Sequence, residues 1–202
     1  MLFNVKRNFL LSVILALALA GAALALKHAL GLEWQPPGAA GFIPGFAAGL
    51  AAILASDLIL VLLLLALFRG EFIKTYMRMA DYFSGQRATE ILAGGFLAAG
   101  EETIFRGVIL QGIVQVLSTG PVPAVLVSSV LFGLSHVIAR KRLALFSIWA
   151  VWEGAVLGAV YLYTGSLLVT AAVHAAHDVL GFTAFAVQRR RGFFLTGRPA
   201  RG

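Results

Sequence analysis

One short stretch, Gly100-Glu101-Glu102-Thr103-Ile104-Phe105-Arg106-Gly107, sets two carboxyl groups and a guanidinium group inside an apolar run. From Ala88 to Leu117 the only other ionisable side chain is Glu90. An ionisable group at membrane depth costs roughly 2.5–3.5 kcal/mol on insertion scales, so such groups pair, face a wet cavity and serve a function. If one carboxylate pairs with Arg106, the other is left for acid–base chemistry. The stretch therefore predicts a functional site buried in a membrane protein.

Imidazole groups recur further along the chain, again inside apolar runs. Phe132-Gly133-Leu134-Ser135-His136 ends one such run, and a later run contains His174-Ala175-Ala176-His177-Asp178. Helical residues four positions apart share a face. Glu102 and Arg106 form one such pair, and His174 and Asp178 form another. On helices that rise ~1.5 Å per residue, four groups fall within roughly 10 Å of the membrane midplane: Glu101, His136, His174 and Asp178. Three neighbouring helices could bring them to one point.

Each of these residues also has a plainer explanation. Glu102 and Arg106 could be only a structural ion pair, and a single histidine in a membrane helix is often a packing residue. We interpret the buried acids Asp57 and Glu153 as structural, and His177 as a packing residue or a support for its neighbours. Packing alone explains poorly why two carboxylates, an arginine, two histidines and an aspartate share one depth, because aliphatic residues would be far less costly there.

The composition excludes an ordinary soluble domain. Of the 202 residues, 60% are hydrophobic and 12% are charged, whereas soluble domains contain about 25% charged residues. The mean hydropathy is +0.91. The formal net charge is +7, but the lysines and arginines lie in short loops and tails beside apolar runs, which indicates membrane topology and not nucleic-acid binding. With no cysteine in the chain, disulfides, thiolate chemistry and cysteine-ligated metals are excluded.

Apolar runs of about 20 residues predict an all-α, polytopic membrane helix bundle. Six spans are expected, at about Phe9–Leu26, Phe42–Phe68, Ala88–Leu117, Val122–Ile138, Leu143–Tyr163 and Leu167–Val187. We assign residues 1–87 to two spans with a juxtamembrane segment, residues 88–188 to a helical core with the candidate site, and residues 189–202 to a basic tail. Turns are predicted at Pro36-Pro37-Gly38, Ser118-Thr119-Gly120-Pro121 and Thr164-Gly165-Ser166.

Two segments allow more than one interpretation. The first span, preceded by Lys6 and Arg7, has features of a signal peptide. Its apolar run exceeds the ~7–15 residues of a signal h-region, so we expect a retained helix. Within Arg69–Arg87, apolar and aromatic residues recur at helical spacing among charged ones: Phe72, Tyr76, Met79 and Phe83. This pattern indicates either an interfacial amphipathic helix or a solvated loop.

Basic residues flank alternate connections. They occur at the N-terminus, in Arg69–Arg87, in Arg140–Arg142 and in the C-terminal tail, whereas the loops on the other side contain only Lys27. The positive-inside rule then places both termini in the cytoplasm. Short loops, small size and spans rich in alanine and glycine indicate the inner membrane of a bacterium.

Together, Glu101-Glu102-x-x-Phe105-Arg106-Gly107, Phe132-x-x-x-His136 and His174-x-x-x-Asp178 resemble the three motifs of the CAAX-protease and bacteriocin-processing (CPBP, or Abi) family. These intramembrane endopeptidases are also called type II CAAX prenyl endopeptidases. The resemblance covers spans three to six, and the motifs fall in order inside predicted spans. One position departs from the family pattern, which commonly has Asn where this chain has Asp178.

The resemblance implies hydrolysis of a peptide bond within or beside the bilayer. Glu101 is the expected base for a water nucleophile, and His136 would help to orient or deprotonate that water. His174 would donate to the oxyanion. Asp178 would either accept a hydrogen bond from His174 or stay protonated. Glu102 and Arg106 would hold the motif helix, with the arginine neutralising the acid.

We expect no cofactor, although Glu101, His136 and His174 could alternatively ligate zinc with a water in the fourth position. The expected partners are the lipid bilayer and a membrane-associated protein or peptide substrate. That substrate would be a prenylated C-terminal peptide, a bacteriocin-type precursor or a membrane-anchored protein with a C-terminal sorting tail. Non-enzymatic alternatives are a transporter or proton relay, or an immunity scaffold, that uses the same buried groups.

Overall fold

Helices joined by short turns make up the part of the chain that the structure describes. This computed structural model describes residues 9–34, 41–83, 86–139 and 144–190, with no strand among them. The elements are α1 (Phe9–Ala29), α2 (Phe42–Phe83), α3 (Ala88–Ile104), a π-helix (Phe105–Leu110), α4 (Gln111–Gln115), α5 (Pro121–Ala139), α6 (Ala144–Thr164) and α7 (Leu167–Arg190). Because α3, the π-helix and α4 follow one another without a break, they form one rod. The predicted all-α class is confirmed.

Among the described residues, three helical segments are long and apolar enough to cross a membrane by length and composition: Phe9–Ala29, Phe42–Ala80 and Leu167–Val187. Pro121–His136 is a shorter apolar helix. Large apolar side chains such as Leu17, Leu62 and Leu126 are more than half exposed, and apolar surface on this scale suits contact with lipid. The chain is therefore an integral membrane protein, and the count of six crossings stays a prediction.

The second helix extends beyond its predicted end. It bends at Phe68, where the backbone leaves the helical region at φ −135° and ψ 36°, and then continues to Phe83. The solvated-loop alternative is therefore wrong for residues 69–83. The apolar side of this extension packs on α7, where the Phe83 and Phe182 rings stack with centroids 4.6 Å apart. The aromatic spacing in the sequence thus marks a contact between two helices of the bundle.

Both predicted turns that lie within the described ranges are confirmed. Ser118 has a positive φ of 50° between α4 and α5, and Gly165 has a φ of 62° directly after α6. A residue in this left-handed region ends a helix, and glycine adopts it without a steric penalty. The predicted Pro36-Pro37-Gly38 turn, the Arg140–Arg142 loop and the basic tail beyond Arg190 lie outside the described residues.

Small residues let neighbouring rods approach closely around the site. A Cβ atom added at Gly154 of α6 would lie 3.0 Å from the Cα of Ser129 in α5, and one at Gly100 of α3 would lie 2.9 Å from the Cα of Ala16 in α1. Such contacts are typical of packed membrane helices. As a result α3 packs against both α1 and α7, while α5 packs against α6. The rods that contain the three motifs therefore enclose a common interior.

Candidate active site

A cavity of about 420 Å³ lies among α2, α3, α5, α6 and α7. Glu101, His136 and His174, which come from three different rods, line it together. Part of the remaining wall is apolar and aromatic, with Phe83 of α2 and Phe182 of α7. The three motif side chains therefore share one pocket, as their spacing predicted. Their chemical roles stay predictions.

Glu102, Arg106 and His174 form a buried group that we call the arginine cluster. Glu102 Oε1 accepts a hydrogen bond from Arg106 Nη1 at 2.8 Å and lies 2.7 Å from His174 Nδ1. The three residues are 0%, 0% and 2% exposed, respectively. Arg106 Nη2 also donates to the Gly154 carbonyl oxygen of α6 at 2.7 Å. A buried acid and base persist when each has a partner, and the predicted pairing of Arg106 with Glu102 is confirmed.

Glu102, and not Asp178, holds His174 in place. The distance between His174 Nε2 and Asp178 Oδ1 is 3.9 Å, which is too long for a hydrogen bond. The first predicted role of Asp178, accepting a hydrogen bond from His174, is therefore wrong, and the second, a protonated Asp178, stays a prediction. A spacing of four residues puts both side chains on one face of α7 without aiming their polar atoms at each other. Since an ionised carboxylate only accepts, Glu102 fixes a proton on His174 Nδ1.

The protonation of His136 is set by its own helix. Its Nδ1 lies 2.9 Å from the Phe132 carbonyl oxygen, one turn earlier in α5. A carbonyl oxygen cannot donate, so Nδ1 carries a proton, and Nε2 holds the lone pair when the ring is neutral. The buried Phe132 ring packs beside His136 and His174, with centroid distances of 4.7 and 5.7 Å. The second motif thus provides a basic nitrogen and the aromatic ring that positions it.

The π-helix begins at Phe105, three residues after Glu102, and contains Arg106. A π turn hydrogen-bonds to the fifth residue, is rare, and occurs frequently at functional sites. Two of its carbonyl groups bind side chains from elsewhere: Ser128 Oγ donates to the Phe105 oxygen at 2.8 Å, and Trp34 Nε1 donates to the Gly107 oxygen at 2.8 Å. No pattern in the sequence predicted this segment, because a single π turn leaves no recognisable hydrophobic period.

A second group of ionisable residues, the His177 cluster, consists of Asp57 of α2, Glu153 of α6 and His177 of α7. His177 Nε2 lies 2.6 Å from Asp57 Oδ2 and 3.6 Å from Glu153 Oε1. All three residues line the same cavity as the motif residues. The interpretation of Asp57 and Glu153 as structural, and of His177 as a packing residue, did not predict that the three side chains lie together. The available signal was a single acid within each of two otherwise apolar spans.

The bundle and its pocket define a helical membrane protein with a buried glutamate and histidine site. A family model described as Rce1-like, type II CAAX prenyl endopeptidase Rce1-like, matches residues 85–180. This match to a family of proteases confirms the resemblance of the three motifs. The match includes every motif residue and excludes α1 and α2. No curated protein and no solved structure matches the chain.

Proposed function

We propose that the chain is an intramembrane endopeptidase that hydrolyses a peptide bond of a membrane-associated protein or peptide. One observation carries this proposal: Glu101, His136 and His174 line a single cavity although they come from three rods. A carboxylate and an imidazole lone pair can activate water, and a further imidazole can stabilise negative charge. These are the groups that amide hydrolysis needs, and the match of residues 85–180 to a protease family agrees with them.

The first chemical step is attack by a water held between Glu101 and His136. The water oxygen bonds to the scissile carbonyl carbon, the carbonyl π-bond opens to an oxyanion, and the water proton passes to the Glu101 carboxylate or to His136 Nε2. In the second step the carbonyl re-forms and the C–N bond breaks. The transferred proton then goes to the leaving amine. The products are a carboxylic acid and an amine, and the base returns to its starting state.

His174 is suited to stabilise the oxyanion. Its Nδ1 is committed to Glu102, so Nε2 can donate only when the ring is an imidazolium. Carboxylates lie on both sides of the ring, with Glu102 at 2.7 Å from Nδ1 and Asp178 at 3.9 Å from Nε2, and negative charge on both sides stabilises a cationic ring. One oxyanion donor contributes about 2.7–4 kcal/mol in other proteases.

The apolar part of the cavity supports a substrate that arrives from the bilayer. Met79, Phe83 and Phe182 line this part and would accept apolar side chains or a lipid group beside the scissile bond. The family name refers to prenylated C-terminal peptides. The bacterial character of the sequence favours the other two classes, which are bacteriocin-type precursors and membrane-anchored proteins with C-terminal sorting tails.

We also propose an inner-membrane location with both termini in the cytoplasm. The support is the placement of basic residues on alternate connections, as the positive-inside rule requires. The Arg69–Phe83 part of α2 would then lie towards the cytoplasm. Because Met79 and Phe83 belong to this part, the apolar end of the cavity would face the same side. Substrate would approach the site from the cytoplasmic half of the bilayer.

The variant Glu101→Gln tests the mechanism, because glutamine keeps the size and polarity of the side chain and removes the base. Loss of a general base is expected to lower the rate by about 10²–10⁴-fold. The measurement compares the N- and C-terminal peptides of membrane proteins, by mass spectrometry, in cells that express wild type or variant. Products that depend on the protease should disappear from the variant cells.

Glu90→Gln is the matched control, since this acid lies in the same rod. Its Oε2 accepts a hydrogen bond from the Arg87 backbone N–H at 2.9 Å, and glutamine can keep that cap. Processing should therefore persist in Glu90→Gln. Identical products from wild type and Glu101→Gln, at equal amounts of membrane protein, would contradict the protease proposal. A transporter or an immunity scaffold would then be favoured.

A further inference from the structure

The His177 cluster brings two carboxylates onto the same nitrogen of one imidazole. His177 Nε2 lies 2.6 Å from Asp57 Oδ2 and 3.6 Å from Glu153 Oε1. An Nε2–H group has a single hydrogen. When it donates this hydrogen to Asp57, no proton lies between Nε2 and the Glu153 carboxylate. In the part of the chain that the structure describes, neither acid pairs with a lysine or an arginine. When both acids are ionised, at least one negative charge has no matching cation within the cluster.

The hydrogen bonding of this cluster is also incomplete. Asp57 Oδ1 is buried and has no hydrogen-bond partner among the described residues. A buried polar atom without a partner costs about 1–3 kcal/mol, and more when it is charged. An unpartnered carboxylate oxygen beside an unbalanced charge indicates a cationic ligand.

The surroundings of the cluster match those of a metal site. Histidine ligands usually bond through their second ring nitrogen to a carboxylate, and ligating carboxylates are themselves hydrogen-bonded. His177 Nδ1 makes no hydrogen bond among the described residues, and Asp178 Oδ1 lies 3.5 Å from it, on the side of the ring away from the two acids. Glu153 Oε1 accepts a hydrogen bond from Trp149 Nε1 at 2.8 Å. An approach of about 0.5 Å would let Asp178, where the related family commonly has Asn, accept a hydrogen bond from Nδ1 and orient the histidine ligand.

We propose that the His177 cluster binds a divalent transition-metal ion through Asp57, Glu153 and His177 Nε2. Their ligand atoms all lie within 4.8 Å of one another. A tetrahedral zinc ion with bonds of about 2.0–2.2 Å holds its ligand atoms roughly 3.3–3.6 Å apart, so side-chain shifts of about 1 Å would form the site. Water from the adjoining cavity would complete the coordination. Two carboxylates balance the charge of a divalent ion.

The ion would join parts of the chain that are distant in sequence. Asp57 and His177 are 120 residues apart, and α2 lies outside the matched range of residues 85–180. A metal bridge would therefore fix α2 against the α6–α7 pair beside the substrate cavity. None of the three ligands takes part in the proposed hydrolysis, so the metal site is independent of it.

Metal analysis of the full chain, purified in detergent, tests this proposal with Zn²⁺ as the probe. After loading and removal of loosely held ion, wild type should retain one zinc per chain by plasma mass spectrometry. Asp57→Asn and Glu153→Gln keep the shape of each side chain and remove a ligand. Each should weaken zinc binding by more than the roughly 10–100-fold that loss of an outer-sphere partner costs.

Glu101→Gln and His136→Gln are the matched controls, because these residues belong to the alternative zinc site of the sequence analysis. Both should bind zinc as wild type does. Zinc binding that is lost in these two variants and kept in Asp57→Asn would overturn the proposal, and so would a wild type that takes up no zinc.

If the Asp57 and Glu153 variants do not accumulate, zinc K-edge absorption spectroscopy of the wild type alone tests which residues bind the zinc. The proposed site contributes one imidazole and otherwise oxygen ligands. A spectrum with one imidazole per zinc is expected. Two imidazoles, as Glu101, His136 and His174 would provide, would overturn the assignment.

Discussion

The arginine cluster and the His177 cluster adjoin the same cavity and are built from the same kinds of groups, but their charges are arranged in opposite ways. In the arginine cluster one carboxylate oxygen, Glu102 Oε1, meets a guanidinium at 2.8 Å and an imidazole at 2.7 Å. In the His177 cluster one imidazole nitrogen meets two carboxylates at 2.6 and 3.6 Å. The arginine cluster contains a permanent cation, Arg106. The His177 cluster acquires a positive charge only when it binds a proton or an ion.

Burial follows the same contrast. The side chains of Glu102 and Arg106 are both 0% exposed, whereas those of Asp57 and His177 are 14% and 12% exposed. A completely buried cluster cannot exchange its counter-charge with solvent, so its partners have to be permanent. The partly exposed side chains of Asp57 and His177 can take up water or an ion. Similar groups at similar depth therefore need not share a role.

Arg106→Met should have the largest effect on stability, because it leaves the Glu102 charge buried without its permanent partner. Breaking a buried ion pair from one side costs about 3–5 kcal/mol. Denaturant unfolding in detergent micelles measures the loss. The double variant Glu102→Gln/Arg106→Met removes both charges and should recover part of the stability. A single variant that unfolds like wild type would break the distinction between the two clusters.

His177→Gln should have a smaller effect, because water in the cavity can solvate Asp57 and Glu153 once the imidazole is lost. Removing one partner of a hydrogen bond to a charged group costs about 1–3 kcal/mol. The same unfolding assay applies, so the two variants can be ranked directly. A loss equal to that of Arg106→Met would mean that the His177 cluster is as sealed and as dependent on its own partners as the arginine cluster.

Asp178→Asn should have the smallest effect on hydrolysis. Asp178 is 3.9 Å from His174 and 3.5 Å from His177, so it adjoins both clusters without a short bond to either. Most of the rate should remain, with kcat/KM lowered by less than about tenfold, which corresponds to about 1.4 kcal/mol. Zinc affinity should fall by roughly 10–100-fold, because an outer-sphere carboxylate is lost. An inactive Asp178→Asn enzyme would instead assign the ionised acid a direct part in the reaction.

The class of protein and the residues of the arginine cluster could be read from the sequence. Ionisable side chains are rare in membrane helices, so Glu102, Arg106 and His174 stand out against an apolar background without any knowledge of the fold. The spacing of four residues also predicted the Glu102–Arg106 pair correctly, since neighbours within a helix follow from its geometry alone. The same local rule failed for His174 and Asp178, whose polar atoms are not aimed at each other.

Features that depend on one helix at a time therefore follow from the sequence: the apolar spans, the turns at Ser118 and Gly165, and the face that each motif residue shares. The tertiary structure then selects which of these faces meet. It brought Glu102 to His174, and it brought Asp57 of α2 to a histidine 120 residues away. The physical reason is that helical phase orients a side chain about its own axis, whereas close packing at small residues such as Gly100 and Gly154 selects the neighbouring helix.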